Sequence, residues 1–75
     1  MTAWQARIEA NPKILVGKPI VKGTHLGVDF ILELLAQGWG VDKILKNYPQ
    51  LKKEDIKAVL EYSVDVVKLE SVYPL

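Results

Sequence analysis

The sequence contains no cysteine, only one histidine and no long apolar run, and each of these features excludes a class of protein. Without cysteine there is no disulfide and no thiolate ligand, and a single histidine cannot build a histidine-based metal site within one chain. No apolar run approaches the ~20 residues of a membrane-spanning helix, and the first ten residues lack a signal-peptide core. We therefore expect a cytoplasmic protein that uses no metal, no cofactor and no membrane.

The chain also has little excess of one sign of charge over the other, because 10 basic and 9 acidic residues leave a formal net charge of +1. A chain with so little net charge has no general affinity for nucleic acid, so such binding would need a local basic patch. The length of 75 residues predicts one domain, residues 1–75, and 49% of these residues are hydrophobic. Small domains without disulfides often gain stability by associating, so we expect a surface that binds a protein partner.

The residue types that catalysis needs are missing as well, so we expect that the protein is not an enzyme. No acid pair stands against a histidine, and so short a chain offers no plausible Ser-His-Asp set. His25 follows a turn and has no partner to orient it, which favours a surface or hydrogen-bonding role over proton transfer. Gly17-Lys18 precedes Pro19 and a strand, whereas a phosphate-binding loop needs Ser or Thr after the lysine and then a helix.

Residues 17–24, Gly-Lys-Pro-Ile-Val-Lys-Gly-Thr, organise the rest of the chain. Pro19 favours an extended or turn conformation at the residue before it, and the β-branched Ile20 and Val21 suit a strand. Gly23 then suits a turn with positive φ. This pattern predicts a turn, a strand and a turn that join an extended arm (residues 1–24) to a helical core (residues 27–70). The segment is either a joint of the fold or a partner surface; its residues are Gly17, Lys18, Pro19, Lys22, Gly23, Thr24 and His25.

The first ten residues alternate between apolar and polar positions, with Ile8 among the apolar ones. Alternation with a period of two predicts an extended segment. We expect residues 7–9 to pair with residues 20–22 in a two-stranded β ribbon. Such a ribbon is marginal alone and needs either the helices behind it or a second copy of itself.

Two helices are predicted directly after the ribbon, and glycine and proline set their ends. The first opens at Gly27 and ends before Gly38, which suits the position after a helix. The second begins at Gly40 and ends before Pro49. The residues expected to face the core are Val28, Ile31, Leu32 and Leu35 in the first helix and Ile44 and Leu45 in the second.

The third helix is predicted over residues 53–70 and carries two apolar stripes. Lys52, at its expected N-cap, has no side-chain oxygen, so that end should fray or be capped by another group. The stripe expected to face the core consists of Ile56, Val59, Leu60, Ser63, Val64 and Val67. The second stripe consists of Tyr62, Val66, Leu69 and Tyr73. Trp4 offers only one ring to cover the second stripe, so we predict a homodimer joined through this stripe of the last helix and the extended N-terminal segment.

Three helices joined by short turns are typical of helix-turn-helix DNA-binding modules, although they are also a simple way to build a small core. The predicted fold is mainly α: a three-helix homeodomain-like or winged-helix-like helix-turn-helix bundle preceded by a short β ribbon. The lysines expected to contact DNA phosphates are Lys43, Lys46, Lys52, Lys53 and Lys57. Glu54 and Asp55 oppose such contacts, and the third helix has no Arg or Asn to recognise bases. We therefore expect weak or dimer-dependent DNA binding.

A set of motifs in fixed order accompanies residues 17–24. These motifs are Ile8, Asn11-Pro12, Val28, Leu34-Leu35-Ala36-Gln37-Gly38, Ile44-Leu45, Tyr48-Pro49, Leu51, Glu54-Asp55-Ile56 and Ala58. Together they resemble the small prokaryotic domain-of-unknown-function family 433, over nearly the whole chain. The sequence departs from that family at His25, where Arg is usual, and at Gly27, where Pro is common. It departs again at Gly40 and Lys52, where Ser or Thr is usual.

The resemblance implies an antitoxin-like protein with a helix-turn-helix core. Its partner would be a PIN-like ribonuclease toxin, which it would neutralise, and operator DNA in the promoter of the pair is an additional expected partner. Two alternatives remain: an uncharacterised helix-turn-helix DNA-binding regulator without a toxin, and a plain dimeric interaction module. A neighbouring gene for a small acidic nuclease-like protein would favour the antitoxin hypothesis.

Overall fold

The computed structural model describes residues 4–10 and 18–70. A 3-10 turn, Trp4–Ala6, comes first, followed by strands β1 (Ile8–Ala10), β2 (Pro19–Val21) and β3 (Leu26–Gly27). Helices α1 (Val28–Ala36), α2 (Val41–Asn47) and α3 (Lys53–Glu70) complete this part of the chain. The described residues are mostly helical, as the sequence predicted. None of their helices is both long and apolar enough to cross a membrane.

The strands form one antiparallel sheet in the order β1-β2-β3. Ile8 lies opposite Val21, which confirms the predicted ribbon, and Ile20 lies opposite Gly27. The sequence did not reveal β3, because two residues are too few to show a period. Ile8 and Val21 belong to the same buried cluster as residues of all three helices, so the ribbon is stabilised by the helices behind it.

Residues 22–25 connect β2 to β3 through two residues with positive φ. Gly23 has a φ of 79°, as predicted, and His25 has a φ of 61°. The Thr24 hydroxyl donates a hydrogen bond to the Val21 carbonyl (2.8 Å) and accepts one from the backbone N–H of Leu26 (3.0 Å). The strand and the second turn of the predicted joint are therefore β2 and a β-hairpin loop stabilised by one threonine side chain, and Gly17 lies outside the described residues.

The chain before β1 is not extended throughout, which corrects the prediction for the first ten residues. Trp4–Ala6 form a 3-10 turn, and the backbone N–H of Arg7 donates to the Trp4 carbonyl (2.8 Å). The Trp4 ring packs edge-on against Tyr62 of α3, with centroids 4.8 Å apart and planes at 81°. Packing between aromatic rings outweighs the weak preference of a short alternating segment for extended backbone.

Helices α1 and α2 begin and end at the predicted glycine and proline positions. Gly27 and Gly40 are their N-caps, both with extended backbone. After α1, the N–H groups of Gly38 and Trp39 donate to carbonyls of the last turn, each at 3.0 Å, and Gly38 has a φ of 95°. This is a Schellman motif, in which glycine tolerates the left-handed conformation best. Helix α2 ends at Asn47, before Pro49.

Helix α3 begins at Lys53, and although Lys52 has no side-chain oxygen, Asp55 supplies the other half of a capping box. One carboxylate oxygen of Asp55 accepts the backbone N–H of Lys52 (2.9 Å), as the third helical residue does in a capping box. The other oxygen accepts a hydrogen bond from the Arg7 guanidinium (2.8 Å). Of the two predicted outcomes for this end, fraying or capping by another group, the structure shows capping. The capping group is a buried acid, since Asp55 is only 6% exposed.

The side of α3 that faces the core differs from the prediction. Ile56 and Val59 are buried as expected, and Asp55 and Ala58 are buried beside them. Three residues of the predicted core stripe are exposed instead: Leu60 (45%), Val64 (51%) and Val67 (64%). The ion pair with Arg7 draws Asp55 inward, so α3 is rotated away from the orientation that its apolar residues alone predict.

The core fills the space between the sheet and the helices. Its largest fully buried side chains are Ile20, Ile31, Ile44, Ile56, Val21 and Val59. Within the described residues, every buried side-chain nitrogen and oxygen has a hydrogen-bond partner. The close-packed core therefore fixes the positions of the sheet and the helices that carry the surface side chains.

Candidate partner-binding groove

A groove of about 390 Å³ lies between the start of β2, the first half of α1 and the second half of α3. We name it the α1/α3 groove. Its lining residues are Lys18, Pro19, Val28, Asp29, Leu32, Tyr62, Ser63, Val66 and Val67. Most of these side chains are apolar, and the volume lies within the range of pockets that receive a ligand or a partner's side chains.

Three polar residues that line the α1/α3 groove, Lys18, Asp29 and Ser63, are bonded within the chain. Lys18 Nζ and Asp29 Oδ2 are 3.5 Å apart, and both side chains are largely exposed. The other carboxylate oxygen of Asp29 accepts the backbone N–H of Phe30 (2.8 Å). The Ser63 hydroxyl donates to the Val59 carbonyl one turn earlier (2.8 Å). The groove therefore offers carbon surface next to one exposed ion pair, which favours an apolar guest.

The walls of the groove are held by the buried parts of the same elements. Val28 is buried at the first position of α1, and Ile20 is buried next to Pro19 in β2. Pro19 begins its strand, where its missing N–H is tolerated. On α3, Tyr62 is fixed by the Trp4 ring, whose Nε1–H donates to the Asp65 carboxylate (2.6 Å). The groove is thus formed before any partner arrives.

The structure describes the side chains of only two residues of the second stripe of α3, which was predicted as a dimer interface. Tyr62 and Val66 line the α1/α3 groove. Trp4 of the same chain packs against Tyr62, with ring centroids 4.8 Å apart and planes at 81°. The homodimer itself stays a prediction. Predicted site positions outside the described part are Gly17, the side chain of Leu69, and Tyr73.

The predicted joint residues do not form one surface. Lys18 and Pro19 line the α1/α3 groove. Lys22 lines a separate polar cavity of about 290 Å³ beside the Arg7–Asp55 ion pair. The remaining described joint residues, all in the hairpin loop, are Gly23, Thr24 and His25.

The lysines predicted to contact DNA are exposed, and two of them line one shallow groove. Lys53 and Lys57 lie one turn apart on α3, and Asp42 of α2 lines the same groove. Lys43 Nζ lies 4.2 Å from the centroid of the Trp39 ring, within cation–π distance. The other exposed lysines of the set are Lys46 and Lys52. An acidic side chain among so few bases gives this surface only a weak positive field.

Sequence patterns did not identify Val28, Asp29 and Leu32 as site residues. Val28 and Leu32 belonged to the predicted core face of α1, and Leu32 is in fact half-buried. Asp29 stood out only as an acid in a first turn, a common helix feature. Within residues 4–10 and 18–70, no group of three His, Asp or Glu side chains is close enough to hold a metal ion.

Comparison with known proteins agrees with the motifs and the fold. The sequence profile of the family described as "Protein of unknown function (DUF433)" matches residues 8–63. Uncharacterized protein y4eO of Sinorhizobium fredii (strain NBRC 101917 / NGR234) is 30% identical over 63 residues, which are 84% of this chain but only 28% of that protein. The crystal structure of a DUF433 member protein from Anabaena variabilis ATCC 29413 superposes with a TM-score of 0.79 at 26% identity.

That superposition covers 87% of this chain and 64% of the Anabaena chain, so both relatives extend well beyond the matched region. The profile match spans most of the present sequence, including β1, the hairpin, α1, α2 and more than half of α3. The resemblance inferred from the motifs is therefore confirmed, and the chain belongs to the DUF433 family.

Proposed function

We propose that this protein is the antitoxin-like subunit of a toxin–antitoxin pair and that it neutralises a PIN-like ribonuclease toxin by binding it. An apolar segment of the toxin docks in the α1/α3 groove and covers the half-buried Leu32 and Val66. In this proposal the protein is a cytoplasmic binding subunit and not an enzyme, and it needs no cofactor. The observation that carries the proposal is the open, largely apolar lining of the groove.

Three features of this groove favour the binding of an apolar guest. Fully burying one Leu or Phe side chain of a guest contributes about 1.5–3 kcal/mol. Lys18, Asp29 and Ser63 already have partners within the chain, so a guest that enters the groove leaves few of these polar groups without a hydrogen bond or ion pair. Because buried residues of α1, α3 and β2 anchor the walls, little conformational entropy is lost when a guest enters. The choice of a toxin as the guest rests on the antitoxin-like character that the family resemblance implies.

We predict that filling the groove abolishes neutralisation. Ser63→Phe adds a ring to the lining while giving up one hydroxyl bond to a backbone carbonyl. When this chain is co-expressed with the product of the adjacent reading frame, wild type should restore growth and co-purify with that product. Ser63→Phe should bind at least about tenfold more weakly and fail to restore growth.

The matched control is Glu33→Phe, which adds the same ring at an exposed position of α1 that does not line the groove. It should bind and rescue like wild type. Thermal melting of both variants should give folded, cooperative transitions. The proposal fails if folded Ser63→Phe still co-purifies and restores growth as wild type does.

DNA binding is the second candidate function, and it is favoured by the adjacent exposed positions of Lys53 and Lys57 on α3. It assumes that α1, α2 and α3 act as a homeodomain-like helix-turn-helix module, with short connections at residues 37–40 and 48–52. Asp42 and Glu54 limit the attraction to phosphate. Any binding to operator DNA would therefore be weak and dominated by lysine–phosphate contacts.

We predict that Lys53→Glu combined with Lys57→Glu abolishes any gel shift on promoter DNA at low salt. Raising salt from about 50 to 200 mM should weaken the wild-type shift steeply, because phosphate contacts release counterions. Lys46→Glu is the control for a lysine that does not line the groove of Lys53 and Lys57. A shift that survives the double change removes α3 as the DNA-contacting helix.

A further inference from the structure

A strip of exposed apolar side chains runs along α3 beside the α1/α3 groove. Leu60, Val64 and Val67 follow one another at spacings of four and three residues, so they lie on one side of the helix. They are 45%, 51% and 64% exposed. We name them the α3 strip. Three large apolar side chains exposed in a row on one helix mark a surface that favours association.

The charges beside the α3 strip are arranged in a self-complementary way. Glu61 follows the first strip residue and Lys68 follows the last, so an acid and a base lie two turns apart on the same side of the strip. If a second α3 runs antiparallel along the first, with Val64 near the centre, Glu61 lies opposite the partner's Lys68. Two-fold symmetry then makes the same pair a second time. Residues flanking an apolar seam in this way set orientation in paired helices.

We propose that α3 packs antiparallel against α3 of a second copy of this chain, across a two-fold axis beside Val64. The seam consists of Leu60, Val64 and Val67 of both copies, and Glu61–Lys68 pairs close it at both ends. The strip has the spacing of alternating seam positions in a coiled coil, which lets the side chains interdigitate at a shallow crossing angle. A second copy is the occupant because the charge order complements itself. The association requires no toxin and no DNA.

The proposed dimer is weak. A seam of three side chains from each copy buries less than the ~800 Å² per partner that stable complexes bury. We expect a dissociation constant on the order of 100 µM. The proposed interface is not the second stripe of α3: Leu60 and Val64 do not line the α1/α3 groove, whereas Val67 also lines it together with Tyr62 and Val66.

Sedimentation equilibrium of the chain alone, from about 10 µM to 1 mM, tests the proposal across the expected dissociation constant. Wild type should pass from monomer to dimer over this range. Val64→Lys changes an exposed residue, should stay folded, and should remain monomeric throughout. Lys46→Glu is the control for a changed surface charge on another helix and should dimerise like wild type.

Charge exchange tests the antiparallel arrangement directly. Glu61→Lys alone and Lys68→Glu alone should each weaken the dimer several-fold, because each places like charges opposite one another. The double variant, Glu61→Lys with Lys68→Glu, should restore dimerisation. A wild type that stays monomeric at 1 mM overturns the proposal, as does a dimer unaffected by Val64→Lys or a double variant weaker than both single ones. Since no toxin is present, these results are separate from the co-expression test.

Discussion

Replacing Asp55 with alanine is expected to lower the free energy of unfolding by about 3 kcal/mol and the melting temperature by about 15 °C. The carboxylate performs two structural tasks from one buried position. It accepts the backbone N–H of Lys52 at the start of α3 and the guanidinium of Arg7 before β1. Thermal melting followed by far-ultraviolet circular dichroism measures the loss.

Both parts of this effect have known magnitudes. Loss of a helix cap costs about 1 kcal/mol, and loss of a hydrogen bond to a charged group costs about 1.5–3 kcal/mol. The side chain of Arg7 is 37% exposed, so its guanidinium regains water when Asp55 is removed. That exposure keeps the cost below the value for stranding a fully buried charge.

Glu54→Ala is the matched control, because Glu54 is an exposed acid in the same first turn of α3. It should change stability by less than about 0.5 kcal/mol. Asp55→Asn, which keeps the shape but not the charge, should fall between wild type and Asp55→Ala. Equal melting temperatures for the Asp55→Ala and Glu54→Ala variants would show that the buried ion pair contributes nothing to stability.

Gly23→Val is expected to lower the free energy of unfolding by about 2 kcal/mol and the melting temperature by about 10 °C. At a φ of 79° a β-branched side chain is strained against its own backbone. A Cβ at this position has no heavy atom within 4 Å beyond its chain neighbours, so the expected loss is backbone strain and not a steric clash with the core. Differential scanning calorimetry gives the change in both quantities.

His25→Gly is the control with the opposite expected sign. Its φ of 61° is also left-handed, so glycine relieves strain there and should leave the melting temperature equal or higher. Gly40→Ser tests an N-cap with ordinary extended backbone and open space where a Cβ would lie. No loss of stability is expected there. If valine at position 23 melts like wild type, the hairpin loop can adopt another conformation without cost.

Local patterns in the sequence were sufficient to predict several elements. The bounds of α3, the glycines that flank α1, and the pairing of β1 with β2 all follow from apolar period and from residues with special backbone preferences. Gly23 and Gly38 were identifiable because a positive φ is a local requirement. Such features depend on a few neighbouring residues, so one sequence is enough to indicate them.

The orientation of α3 could not be predicted in the same way. Its two apolar stripes are similar in hydrophobicity, and the choice between them depends on Arg7, which pairs with Asp55 across 48 residues of sequence. The candidate groove was missed for a related reason. Its walls come from β2, α1 and α3, and only the packing of these elements shows that Val28, a core residue as predicted, and the half-buried Leu32 also line a groove.

The hydrogen bonds of Trp4 and Arg7 to α3 also have a kinetic consequence. They join residues 61 and 48 positions apart, so forming them closes long loops of chain. Loop closure costs entropy that is recovered only once both ends are in place, whereas the turns of α1 and α2 need only near neighbours. We infer that these two hydrogen bonds form late in folding and that weakening them mainly accelerates unfolding. The first residues of the chain would then determine how long the native state survives more than how quickly it is reached.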